Sequence, residues 1–160
     1  MKVLILSDTH RKHDNFEKVI ECEKDMDLLI HCGDLEGAEQ YVDSSVDCEV
    51  KMIAGNTDYF SRLPRELEFE LCGKKIWMTH GHHYRVSMDL ETLEEEAFSR
   101  GVDIVFFGHT HRPVIEEGRV TLVNPGSISY PRQNDKTPTY IVLTIDEEQE
   151  FHFELKKIEG

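Results

Sequence analysis

Five short polar segments combine aspartate, asparagine and histidine with glycine, and each follows an apolar stretch. They are Asp8-Thr9-His10, Gly33-Asp34, Gly55-Asn56-Thr57-Asp58, His80-Gly81-His82 and Gly108-His109-Thr110-His111. Carboxylate oxygen, amide oxygen and imidazole nitrogen together suit borderline divalent metals such as Mn, Fe, Ni, Co or Zn. The segments offer seven candidate ligand residues: Asp8, His10, Asp34, Asn56, His80, His109 and His111.

Each segment alone is a weak indication of a site. An Asp-x-His triplet arises by chance, and Gly-Asp or Gly-Asn-Thr-Asp is typical of a turn. Gly-His-Thr-His can be a solvated loop. The joint occurrence is more informative, because each segment ends a predicted buried strand. These strands are expected at residues 2–6, 28–30, 50–54, 75–78 and 103–107.

Helices alternate with these strands in the first two thirds of the chain. We expect Asn15 to open the first helix, a short helix near residues 37–42, and Ser87 to cap a helix that ends before Gly101. The other strands are predicted at 66–72, 114–117, 119–123, 139–145 and 150–157. This order indicates one mixed α/β domain over residues 1–160, with helices outside and sheet inside.

The five segments are expected to meet at one crevice, because ligands of open α/β sheets bind beyond the carboxyl ends of the strands. In extended backbone, residues two apart point to the same side, as Asp8 and His10 would, and as His109 and His111 would. Seven ligands are too many for one ion. They fit two ions that share a carboxylate, which two-metal sites hold roughly 3.5–4 Å apart.

The composition excludes several kinds of partner. The chain has 18 Lys and Arg against 32 Asp and Glu, with a formal charge of −14. A basic surface for long nucleic acid or for a membrane is therefore not expected.

No stretch has the roughly 20 apolar residues of a membrane span, and the short apolar start is unlike a signal peptide, so we expect a cytoplasmic protein. The four cysteines form no Cys-x-x-Cys pair and are expected to be free thiols. Bound metal ions would attract an anionic substrate locally.

The motifs, in this order, resemble the calcineurin-like metallophosphoesterase superfamily. The run Val123-Asn124-Pro125-Gly126-Ser127 and the small size resemble its compact bacterial and archaeal phosphodiesterase branch. The resemblance covers residues 3 to about 132. It implies an α/β fold in which two mixed β-sheets pack as a sandwich flanked by helices, four layers in the order αββα.

The resemblance also implies how the ligands divide. Asp8, His10 and His111 would hold one metal ion, and Asn56, His80 and His109 the other. Asp34 would bridge the two ions. The expected cofactor is a pair of divalent ions, with Mn²⁺ the first expectation and Fe, Ni, Co or Zn the alternatives.

The implied reaction is hydrolysis of a small phosphodiester, with a nucleotide as one option, by a hydroxide that bridges the metals. Asp34, Asn56 and His109 would shape the site for that attack. Two alternatives stay open: a phosphomonoesterase, and a non-catalytic scaffold such as the retromer subunit of this superfamily. The sequence does not indicate the oligomeric state.

One residue departs from the pattern of many superfamily members. Thr57 stands where they have a histidine that protonates the leaving group, and threonine has no suitable pKa near neutrality. Three weaker site candidates remain. Asp58 could orient a ligand or only close a turn. Arg11 could contact a phosphate or be a solvated loop residue, and His82 could contact the substrate. His31, on an apolar strand, is expected to be a satisfied core histidine.

Overall fold

Two five-stranded sheets make up the centre of the protein. The computed structural model describes residues 1–159. Ten strands occur in this part of the chain: β1 (Lys2–Leu6), β2 (Leu28–His31), β3 (Glu49–Met52), β4 (Glu66–Leu71), β5 (Lys74–Thr79), β6 (Ile104–Phe106), β7 (Pro113–Glu116), β8 (Thr121–Pro125), β9 (Thr139–Ile145) and β10 (Phe151–Lys157). The strand order is β10-β9-β1-β2-β3 in the first sheet and β4-β5-β6-β8-β7 in the second.

The apolar runs of the central strands are continuous because both faces of each sheet are covered. On β1, Val3 and Ile5 belong to the core between the sheets, while Leu4 and Leu6 pack on the other face. Alternate residues of a strand point to opposite faces, so one five-residue run serves two cores. All four side chains are fully buried.

Helices cover the outer face of each sheet. The helices are α1 (Asp14–Cys22), α2 (Glu39–Ser44) and α3 (Glu91–Arg100). Phe16 and Val19 of α1 pack against the first sheet, and Leu93 and Ala97 of α3 pack with Trp77 on the second. The layers therefore follow the order helix, sheet, sheet, helix, and the expected four-layer sandwich is confirmed. No helix formed by residues 1–159 is long and apolar enough to cross a membrane.

Two predicted helix caps are wrong. Helix α1 begins at Asp14 with His13 in the cap position, and the Asn15 amide instead donates to the carbonyl of Ile128. Ser87 does not cap α3, which begins at Glu91. A 3₁₀ turn at His82–Tyr84 and further turns occupy the intervening chain. The short helix expected near 37–42 lies at Glu39–Ser44.

Parallel pairing determines where the polar segments lie. Strands β1, β2 and β3 run parallel in the first sheet, and β5 and β6 run parallel in the second. The carboxyl ends of each parallel set lie at the same edge of its sheet. The five polar segments follow these five ends, and backbone hydrogen bonds join them across the edge, such as Asp8 N to Gly33 O and Gly108 N to His80 O.

His31 is a satisfied core histidine, as the sequence predicted. Its side chain is fully buried, accepts a hydrogen bond at Nδ1 from Gly33 N, and donates from Nε2 to Thr9 Oγ1. Burial lowers the pKa of His31 to about 4. In the unfolded chain the side chain titrates near its usual value of about 6.5.

This difference predicts how stability depends on pH. Below about pH 6.5 the unfolded chain takes up a proton that the folded chain refuses until about pH 4, so acid favours unfolding. As the pH falls from 7 to 5, we expect the titration of His31 to lower the unfolding free energy of the chelated protein by about 2 kcal/mol. Urea unfolding of the parent and of His31→Gln, both with chelator, would measure this. If the unfolding free energy fell equally in both proteins, His31 would not be the source of this pH dependence.

Candidate metal centre

Asp8 lies at the centre of one group of candidate ligands. Its Oδ1 atom is 3.1 Å from His111 Nε2, and 3.7 Å from both His10 Nε2 and His80 Nε2. One ligand atom from each of Asp8, His10, Asp34 and His111 falls within 4.8 Å of the other three. The end of β1 and the loop after β6 therefore form one pocket, although they are about a hundred residues apart in the chain.

Asp34 contacts histidines of both predicted ligand groups. Its Oδ2 atom is 3.2 Å from His80 Nε2 and 3.6 Å from His10 Nε2. Thr57 N donates to the other oxygen, Oδ1, at 3.0 Å, which fixes the carboxylate. Asp34 is thus placed between the two groups, as a bridging ligand would be.

Asn56 and His109 form the far side of the pocket. Asn56 Oδ1 and His109 Nδ1 are 3.0 Å apart, and the His109 ring centroid is 5.3 Å from that of His80. The structure therefore brings all seven sequence-predicted ligand residues to one end of the sandwich. Their assignment as metal ligands stays a prediction.

The backbone of the ligand loops is not extended. The prediction that extended backbone points Asp8 and His10, or His109 and His111, to the same side is therefore wrong. Positive φ angles occur at Asp8 (55°), His10 (48°), Asp34 (62°), His109 (71°) and His111 (58°). Such conformations are uncommon in residues other than glycine and concentrate at functional sites. Tight left-handed turns aim these side chains into the pocket.

Two glycines make room for the carboxylates. A Cβ atom at Gly55 would overlap the side chain of Asp34, and one at Gly108 would overlap Ser7 and come within 2.7 Å of Asp8 Oδ2. The glycines that precede Asn56 and His109 therefore permit two loops to close around the aspartates.

Two buried atoms test whether the pocket fits a metal ion. Asp8 Oδ1 and His80 Nε2 are buried and make no hydrogen bond within residues 1–159. Asp8 and His80 are almost fully enclosed, and an unpaired polar atom in such a place is costly. Both atoms face the same pocket as the other candidate ligands. A divalent cation there would satisfy them, so the residues fit the ions that the resemblance implies.

Hydrogen bonds at Nδ1 orient three of the histidines. His80 donates to the carbonyl of Cys32 and His111 to the carbonyl of Tyr130, each at 2.7 Å, and His10 contacts Glu36 Oε1 at 2.8 Å. These bonds leave Nε2 of each ring directed into the pocket. Ligand histidines commonly have such a partner on the other nitrogen. Sequence reasoning did not identify these partners, two of which are backbone carbonyls without any residue signature.

Asp58 both closes a turn and holds ligand loops, so the two sequence-based alternatives coexist. The carboxylate is buried and accepts hydrogen bonds from the backbone N–H groups of Asp34, Leu35, Glu36 and Gly55, at 2.8, 3.3, 2.6 and 2.8 Å. It therefore ties the loop after β2 to the loop after β3.

Two serines, Ser7 and Ser127, support Asp8. Ser7 Oγ donates to Asp8 Oδ2 at 2.6 Å, and His109 N donates to the same oxygen. Ser127 Oγ donates to the carbonyl of Asp8 at 2.8 Å, while Asn124 Nδ2 donates to Gly108 O. The Asn-Pro-Gly-Ser turn thus holds the backbone of Asp8 and of Gly108 in place. This role explains why the polar residues Asn124 and Ser127 are buried in an otherwise apolar region.

The charged side chains of the pocket strongly shift one another's pKa values. Burial alone would raise the pKa of Asp8, but His80, His10 and His111 hold that pKa well below its usual range. Burial opposes protonation of His10, yet Asp8 and Glu36 raise its pKa to about 9. Burial and the nearby His80 lower the pKa of His109. The carboxylates of Asp8 and Asp34 therefore attract positive charge strongly into this pocket.

The weaker candidates lie around the pocket. His82 begins the 3₁₀ turn, 6.0 Å between ring centroids from His109, and its buried Nδ1 has no hydrogen-bond partner within residues 1–159. Burial lowers its pKa to about 4. Arg11 lines a cleft beside His10. Neither residue belongs to the close group of Asp8, His10, Asp34 and His111, and contact with a substrate stays a prediction for both.

Relatives of similar sequence are named as phosphoesterases. The chain is 34% identical over 148 residues to the probable metallophosphoesterase YsnB of Bacillus subtilis, a match that covers 91% of this chain and 85% of the relative. It is 30% identical over 145 residues to the phosphodiesterase MJ0936 of Methanocaldococcus jannaschii, covering 79% and 83%.

Solved structures share the fold. A predicted phosphoesterase from Streptococcus pneumoniae superposes with a TM-score of 0.79 and 25% identity, over 98% of this chain and 97% of that one. Vps29 of Entamoeba histolytica complexed with Zn²⁺ has a TM-score of 0.77 and 24% identity, over 98% and 99%. The calcineurin-like phosphoesterase superfamily domain model matches residues 1–148. This chain therefore belongs to the calcineurin-like phosphoesterase superfamily, whose members use divalent metal ions.

Proposed function

We propose that the protein is a phosphodiesterase that uses two divalent metal ions. The observation that carries the proposal is the convergence of two carboxylates, one amide and four imidazoles on a single pocket. Buried Asp8 Oδ1 and His80 Nε2 make no hydrogen bond among the described residues. Family membership supports a hydrolase of phosphate esters.

The ligands would divide around Asp34. Asp8, His10 and His111 would hold one ion, Asn56, His80 and His109 the other, and Asp34 both. The short approaches within each set support this division, as do the contacts of Asp34 with histidines of both. When bound, two such ions lower the pKa of a water molecule and neutralise charge on the phosphoryl oxygens. Mn²⁺ is the ion we propose, with Fe, Ni, Co or Zn as alternatives, since the mixed oxygen and imidazole ligands suit divalent ions of this group.

Two clefts that flank the pocket favour a diester over a monoester. We name them the aromatic cleft, of about 870 Å³, which includes Tyr59 and Phe60, and the histidine cleft, of about 470 Å³, which includes His10 and His111. Glu36 lines both. A phosphodiester has one substituent on each side of phosphorus, so each cleft could receive one arm. We propose a small substrate, such as a nucleotide ester, in the cytoplasm.

Thr57 bears on how the leaving group departs. Its side chain lines the aromatic cleft next to Asn56 and cannot donate a proton near neutral pH. We therefore expect rates to fall steeply as the leaving group becomes more basic. In Thr57→His the slope of log kcat/KM against leaving-group pKa should be shallower, as measured with a series of aryl phosphodiesters. Equal slopes would count against a missing general acid.

A scaffold without catalysis is the second candidate, because the fold is shared with Vps29. The complete set of seven ligand-type residues favours the enzyme. A direct test compares bis(p-nitrophenyl) phosphate with p-nitrophenyl phosphate, using chelated protein before and after addition of Mn²⁺. We expect Mn²⁺-dependent hydrolysis, with the diester preferred.

The assay distinguishes the alternatives. Preference for the monoester would indicate a phosphomonoesterase. No hydrolysis of either ester, with bound metal shown by elemental analysis, would support the scaffold and overturn the proposal.

A further inference from the structure

Two exposed aromatic rings beside the metal pocket differ from the other exposed rings. Five aromatic side chains are exposed: Tyr41, Tyr59, Phe60, Phe98 and Tyr130. Three of them have a cation or another ring against the face, namely His13 for Tyr41 (3.9 Å between centroids), Lys12 for Tyr130 (4.2 Å) and Arg119 for Phe98 (4.4 Å). Within residues 1–159, neither Tyr59 nor Phe60 has such a partner, and they are 79% and 100% exposed.

The segment that carries these rings is anchored to the pocket. Asp58, directly before Tyr59, is buried and accepts hydrogen bonds from four backbone N–H groups, including that of Asp34. Ser61 N donates to Asp58 O, and Leu63 N donates to Ser61 Oγ. The two aromatic residues therefore stand on a turn whose base holds candidate metal ligands in place.

The aromatic cleft also contains arginines without carboxylate partners. Arg11 and Arg62 line it and form no ion pair with any residue of 1–159. Glu36 and Glu39 line the same cleft, and Glu36 pairs with His10 rather than with an arginine. The guanidinium groups of Arg11 and Arg62 are therefore available to donate hydrogen bonds to an oxygen of a phosphate group.

We propose that the aromatic cleft binds the nucleoside arm of the substrate, with the base stacked on Phe60 and Tyr59 and with Arg11 and Arg62 on the side of the phosphodiester group. This inference rests on the proposed function for the position of the scissile phosphate. It names the substrate class as nucleotide phosphodiesters. Base-to-aromatic stacking tolerates any base, because every base has a planar π-face.

Several features favour a nucleoside over an apolar peptide. Thr57 and Arg11 connect the cleft to the pocket directly, since each follows a candidate ligand in the chain. A volume of about 870 Å³ is large enough for a nucleotide arm. Two arginines complement phosphate, whereas an apolar partner would leave them desolvated and unpaired.

The test compares two diesters that share p-nitrophenolate as the leaving group: thymidine 5′-(p-nitrophenyl) phosphate and methyl p-nitrophenyl phosphate. We expect the parent to favour the thymidine ester in kcat/KM, and Phe60→Ala to reduce this ratio about ten-fold or more. The loss should fall mainly on KM, since stacking is equal in the ground state and the transition state. Phe60→Trp should restore the ratio.

Phe98→Ala is the matched control, because Phe98 is an exposed phenylalanine on α3, outside the residues that line either cleft. It should leave the ratio unchanged. If Phe60→Ala also leaves the ratio unchanged while both esters are hydrolysed, the stacking inference fails and the proposed function stands.

A binding measurement keeps the inference testable if neither ester is hydrolysed. Isothermal titration calorimetry of Mn²⁺-loaded protein with thymidine 5′-monophosphate and with methyl phosphate should show tighter binding of the nucleotide. Phe60→Ala should reduce the ratio of the two affinities about ten-fold. Equal affinity of the parent for the two ligands, or no effect of Phe60→Ala, would overturn the proposal.

Discussion

Replacing Asp34 by asparagine should remove both metal ions and abolish hydrolysis. Asp34 Oδ2 lies within 3.6 Å of histidines from both proposed ligand sets, and its carboxylate is almost fully buried. The amide loses the negative charge that two cations would share. Because loss of residues that only support a ligand already costs 10–100-fold, we expect metal affinity and kcat/KM to fall more than about 100-fold.

The stoichiometry of bound Mn²⁺, measured by elemental analysis after dialysis, checks this result. Asn56→Ala, which removes a ligand of one proposed ion, should retain about one ion per chain. Asp146→Asn is the matched control, since Asp146 is also a carboxylate paired with a histidine, His152, at 2.9 Å, but on the β9–β10 turn. Two tightly bound ions in Asp34→Asn would show that Asp34 is not a bridging ligand.

Replacing Asp58 by asparagine should loosen the pocket without removing any ligand. The carboxylate accepts hydrogen bonds from four backbone N–H groups on two ligand loops. An amide would turn an NH₂ group toward some of these donors and leave buried N–H groups unpaired. Since each unpaired buried group costs about 1–3 kcal/mol, we expect a loss of about 3 kcal/mol in unfolding free energy.

Metal affinity should fall in the same variant by roughly 10–100-fold, because the lost bonds position Asp34. Urea unfolding of the chelated protein and calorimetric titration with Mn²⁺ would measure both effects. Asp89→Asn is a suitable control, since Asp89 caps only one exposed N–H, that of Glu91. If Asp58→Asn retained the parent's stability and affinity, the turn would not position the ligands.

The convergence of the candidate ligands could be predicted because residue type and local context agree. Apolar runs such as 28–30 predict buried strands, and the glycine that follows marks a turn where polar side chains concentrate. Asp34 and His109 were therefore named as candidate ligands from chain position and chemistry alone. The left-handed conformations of these residues were not, since only the packed loops determine them.

Tertiary contacts explain the predictions that were wrong. Asn15 has the residue type of a helix cap, but its amide bonds to Ile128, 113 positions away, and the helix begins one residue earlier. Ser87 also suits a cap, yet tight turns follow it and the helix starts only at Glu91. The carbonyls that orient His80 and His111 belong to Cys32 and Tyr130, and no sequence pattern identifies a backbone acceptor.

The paired-ion pocket is tested most directly by a crystal structure with Mn²⁺ and its anomalous scattering. We expect two peaks roughly 3.5–4 Å apart, a spacing typical of two-metal sites. One should contact Asp8, His10 and His111, the other Asn56, His80 and His109, with Asp34 between them. A single peak, a peak away from these side chains, or none at saturating Mn²⁺ would contradict the account.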